Sequence, residues 1–213
     1  MKKYVKMLGL LLITGFVLAA CGNETKDDLD VEVSEITLTN GKWKMSYSSS
    51  FEDLDTSGAS FVSIWVDASR IQVTDDALEI LEGTYSQSYV YTFPESAAAS
   101  DIEAFAQQKK AEQDAWKVEQ EAAGLTLTNV SFEHSGRKVS MTGAWKKTDA
   151  QIASLNQGAS VSAMNSGLLQ DAEDIVIKTN PGRTEYKITF SIAPDPNFPG
   201  DVGRDIVLVF KKV

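Results

Sequence analysis

Between Trp43 and Phe210 apolar and polar residues alternate with a period of two in one segment after another. Successive side chains of a strand point to opposite faces, so a chain written this way is committed to sheet. Trp43, Met45 and Tyr47 share one face against Lys44 and Ser46, and Tyr85, Tyr89, Tyr91 and Phe93 share one against Ser86, Ser88 and Thr92, with Pro94 closing the strand. Phe61 to Val66 is apolar on both faces, which predicts a covered strand, and Ile71 and Val73 resume the alternation. Asn40-Gly41 lies between Ile36–Leu38 and Trp43–Tyr47 and predicts a tight hairpin there. A second hairpin is expected from Leu125–Phe132 and Val139–Trp145, turning at 134–137. Ile175–Thr179 and Tyr186–Ile192 flank Asn180-Pro181-Gly182, and Ile206–Phe210 ends the series.

Two segments break the pattern. Ala97 to Ala123 is helical in spacing, with Ser100 and Glu103 at capping-box separation and Gly124 as a stop. Its apolar stripe of Ile102, Phe105 and Trp116 is interrupted by Glu112 and Gln113, which predicts a helix held on a sheet mainly at its two ends. Thr148 is placed to cap a shorter helix through Ile152 and Leu155. The expected class is α+β: a mostly antiparallel curved sheet or partial barrel of about nine strands, with one long and one short helix.

The N-terminus has a different grammar. Lys2, Lys3 and Lys6 precede an uncharged run from Met7 to Ala20, too short for a comfortable membrane span and arranged as a secretory signal peptide is. The run ends Leu18-Ala19-Ala20-Cys21, which resembles the lipobox of bacterial lipoproteins. The resemblance implies a signal peptide over 1–20, acylation of the Cys21 thiol and attachment to the extracytoplasmic face of the membrane. Residues 21–33, polar and acidic, then read as a flexible tether, and 34–213 as one folded domain. The polar spacer, with no aspartate directly after Cys21, is similar to that of Gram-positive lipoproteins. Residues 1–20 hold three lysines and no acid, so removing them takes the formal charge from −10 to −13. Such a chain does not suit nucleic acid, and it is repelled by anionic lipid, so the acyl chains alone must hold it.

Gly41-Lys42-Trp43 at the start of a strand is similar to the Gly-x-Trp of the lipocalin family, which implies a barrel that holds small apolar ligands. The likeness extends to Gly41 and Trp43 only. Independently of it, Trp43, Tyr89, Tyr91 and Trp145 fall on apolar faces of different strands, so they are expected to meet inside the sheet and line or fill a cup.

Catalytic and metal chemistry find little in the sequence. His134 is the only histidine and falls in a predicted turn, Cys21 is spent on lipid, and there is no nucleophile elbow or phosphate loop. No metal or cofactor is expected. The loop 195–205 begins like a calcium loop, but Pro199 sits at a ligand position and Ile206 where a closing glutamate would stand. Within it Phe198 is the candidate partner contact. The functional expectation is a non-enzymatic, lipid-anchored protein that binds a small apolar or amphipathic ligand. The alternative is a cell-envelope module for protein–protein contact, with a packed core and no ligand.

Overall fold

The computed structural model describes residues 29–168, 172–194 and 203–213; Cys21 and Phe198 lie outside them. Among the described residues nine strands form one antiparallel sheet: β1 (Val31–Glu32), β2 (Gly41–Leu54), β3 (Ser60–Thr74), β4 (Ala77–Thr92), β5 (Leu127–Ser135), β6 (Lys138–Lys146), β7 (Glu173–Thr179), β8 (Glu185–Ile192) and β9 (Arg204–Lys212). Their spatial order is β1-β7-β8-β9-β2-β3-β4-β6-β5, so the sheet is open, with β1 and β5 at its edges. Three helices complete the described residues: α1 (Ala99–Ala122), α2 (Asp149–Leu155) and α3 (Val161–Leu168). The third was not anticipated.

The register assigns the faces. Across the sheet, Tyr186 opposes Phe210, which opposes Met45, while Trp43 opposes Ile71, which opposes Ile80. Farther along the strands Phe61 opposes Tyr91, which opposes Val139. All of these lie on one face, and all three helices pack there. Ile152 and Val161 join the core around Trp43, Ile71 and Ile188, whereas Ile102 and Ala106 join a second core with Ala59, Tyr91 and Val139. The reverse face carries Ser46, Ser48 and Ser50 beside Val62, Ile64 and Val66, small or β-branched residues suited to a pleated surface.

The predicted hairpin at Asn40-Gly41 does not form. Residues 33–40 run as a strap, with Ile36 and Leu38 buried in the first core. Asn40 instead accepts from the backbone N–H of Asp75 at 2.7 Å and donates to the Asp75 carboxylate at 3.2 Å, tying the strap to the β3–β4 turn. Asp75 holds that turn at φ 54°, a left-handed conformation that aspartate tolerates. The strap is pinned again by Asn165, which accepts from Ile36 N–H at 3.3 Å and donates to Ile36 C=O at 2.9 Å. Val31 and Glu32, within the stretch read as a tether, pair with Thr179 and Lys178.

Helix α1 also differs from its expected cap. Ala98 occupies the N-cap position, and no side chain accepts there; Ser100 lies inside the first turn. Gln113 does not interrupt the buried stripe. Its side-chain amide donates to the carbonyls of Ser131 at 2.8 Å and Thr142 at 2.9 Å, fastening the middle of α1 to β5 and β6. Thr148 caps α2 as expected, with Gln151 completing a reciprocal capping box.

Candidate functional site

Between the two cores the helix-bearing face is left partly open, and there β3, β4 and β6 present a strip of large rings. Trp65 opposes Gln87, Tyr85 opposes both Asp67 and Trp145, and the three rings converge. Centroids are 5.3 Å apart for Trp65–Tyr85, 5.6 Å for Trp65–Trp145 and 5.9 Å for Tyr85–Trp145. Trp116 reaches over from α1 to within 6.0 Å of Trp145. These four rings are half-buried, whereas Trp43 is completely enclosed.

Two strand glycines make the strip possible. A Cβ at Gly143 would stand 2.5 Å from the Trp116 ring, and one at Gly83 would stand 2.9 Å from Cε of Lys147. Gly143 therefore lets α1 lie close to the sheet, and Gly83 lets Lys147 turn back beneath the rings.

Lys147 is the unusual residue of the site. Its side chain is fully buried, its Nζ donates to the Asp67 carboxylate and, at 2.7 Å, to Ser69 Oγ, and it lies 4.7 Å from the centroid of Tyr85. A charge removed from water demands a paired, hydrogen-bonded environment, and this lysine has an anion, a hydroxyl and a ring face. The pair cancels formally, so the floor of the strip is polar and neutral. Burial is the main reason the hydroxyls of Tyr47, Tyr85 and Tyr91 are pushed up from 10.0, and the Asp67 charge adds to it at Tyr47 and Tyr85.

The expected ligand residues separate into three places. Trp43 belongs to the first core, tilted against Tyr186 at 6.4 Å and donating from Nε1 to the carbonyl of Thr39 at 2.9 Å. Tyr91 belongs to the second core, with Tyr89 stacked beside it at 6.4 Å and Phe105 edge-on at 5.0 Å. Of the four, Trp145 alone sits among the ladder of open rings. All four share one face, as the alternation implied, but the strands are long enough to carry them to different cores. Trp65, Tyr85 and Trp116 are not among the expected ligand residues, although the alternation assigns Tyr85 to the face it occupies; the register with Gln87 puts Trp65 on that same face.

His134 lies within β5, paired with Val139 and not in the expected turn, with Nδ1 3.5 Å from a Glu103 carboxylate oxygen, beside a shallow cavity of about 320 Å3 against α1. A smaller one, about 180 Å3, lies between Asn165, Ile177 and Ile188. Neither is lined by the rings of the strip. Among the described residues no group of acidic, histidine or cysteine side chains is placed to hold a metal ion.

A scan against known protein families found no match to this chain, and a search of curated proteins found none either.

Proposed function

We propose that the chain is an exported lipoprotein, anchored to the outer face of a Gram-positive cell membrane through acyl chains on Cys21, that binds an apolar or amphipathic ligand without transforming it. The observation that carries the ligand reading is the strip of Trp65, Tyr85, Trp116 and Trp145, half-buried rings that touch one another and belong to neither of the two cores. Rings left partly in water offer apolar area to a second molecule. The sheet supplies a rigid floor, so a ligand would meet side chains already in position.

The alternative, a contact module of the cell envelope, draws on other exposed apolar side chains. Val118 is 66% exposed on α1 and Leu54 is 72% exposed at the end of β2. Mass spectrometry of protein extracted gently from its own host separates the two. A stoichiometric small molecule supports the ligand reading, whereas stable co-purification of one protein with no small molecule favours the contact module. Anchoring is tested separately: Cys21→Ala should release the protein or leave it unprocessed, and normal cleavage with full membrane retention would reject it.

A further inference from the structure

Beside its contacts with Tyr85 and Trp145, Trp65 has polar neighbours on its own face, of which Gln87 also donates to the Tyr89 hydroxyl, Asp67 is paired with Lys147 and Ser63 is buried. Ser49 and Gln87 are its direct neighbours on β2 and β4, and Ser63 and Asp67 precede and follow it on the same face of β3. Adjacent strands lie about 4.8 Å apart, so the two flanking polar groups stand one on each side of Trp65. An acyl chain asks for the opposite arrangement, an enclosed channel of aliphatic side chains. Here the apolar elements are half-buried rings, and hydroxyl and amide groups border them.

We infer that the ligand of this strip presents an uncharged carbohydrate ring, which lies on Trp65 with its hydroxyl rim over Ser49 and Gln87. This deepens the ligand reading and rests on it. The axial C–H groups of a pyranose carry partial positive charge and suit the negative face of an indole. Hydrogen-bonding groups at the ring's edge recover what its hydroxyls lose on leaving water.

Charge selects against the other polar ligands. A cation would compete with Lys147, whose ammonium already stands by the Tyr85 ring and the Asp67 carboxylate. An anion would approach a chain of formal charge −10 with the buried cation already neutralised. A neutral polyol meets neither obstacle.

The test uses the full mature chain in phosphatidylglycerol nanodiscs, titrated with maltohexaose, cellohexaose and chitotetraose while tryptophan emission is followed. At least one oligosaccharide should give a saturable change, weakened tenfold or more by Trp65→Ala and less by Gln87→Ala. Trp65→Phe keeps an aromatic face and should retain part of the binding, which guards against a variant that merely fails to fold. If none of the three binds and the protein from its host carries a sugar-free acyl lipid that Trp65→Ala loses, the carbohydrate class is overturned and the broader ligand reading stands. If none binds and no small molecule co-purifies, both fall.

Discussion

At the scale of single residues, the domain distinguishes tryptophans that hold it together from those that it displays. Trp43 is completely buried and hydrogen-bonded to the strap, so Trp43→Ala should destabilise the domain by about 3–5 kcal/mol in urea unfolding. Trp65→Ala, at a half-buried ring, should lower stability by clearly less while altering the strip; equal losses at both positions would mean that Trp65 is an ordinary core residue. Lys147 gives a sharper expectation. Lys147→Ala strands the Asp67 carboxylate in a mostly buried position, with a loss on the order of 3–5 kcal/mol. Adding Asp67→Asn should recover a substantial part of it in a double-mutant cycle. Simple additivity of the two substitutions would show that the pair is not coupled as the geometry requires.

The elements show what could be read from the sequence and what could not. The strands that alternate cleanly, such as Tyr85–Phe93 and Tyr186–Ile192, lie where their pattern puts them, because a one-residue slip would turn every ring to the wrong face. Asn40-Gly41 misled because turn propensity is a local signal, and a long-range pair of hydrogen bonds to Asp75 satisfied Asn40 without a turn. Gln113 looked like a flaw in an apolar stripe because its partners, the Ser131 and Thr142 carbonyls, come from later strands. The same limit hid the ring strip: Trp65 could be assigned to a strand, but which core it joins depends on register across β4 and β6. At α1 the unfilled cap gives an expectation that needs no ligand. Ala98 has extended backbone angles of φ −70° and ψ 142° with no side-chain acceptor, so Ala98→Ser should raise stability by about 1 kcal/mol. A neutral or negative change would place the start of the helix elsewhere.

Over the whole molecule, a single sheet carries two closed cores on one face with the ring strip between them, and alkaline titration reads that arrangement. Burial raises Tyr47, Tyr85 and Tyr91, so above pH 10 the unfolded chain ionises these hydroxyls while the folded chain resists. The stability that they contribute is complete below pH 10 and is lost as the pH rises through their folded values. Tm should therefore fall steadily in that range, and phenolate absorbance of the folded protein should lag behind that of the unfolded chain. Coincident titration curves would contradict the burial of these three residues.

The central claim is that the rings between the cores are kept open for a second molecule. Native mass spectrometry of the wild-type and Trp65→Ala proteins, each extracted gently from the membranes of its own host, tests it most directly. The account predicts a one-to-one small-molecule adduct on the wild type that is absent from a folded Trp65→Ala protein. A wild-type protein that carries no adduct, or an adduct that Trp65→Ala retains undiminished, would contradict it.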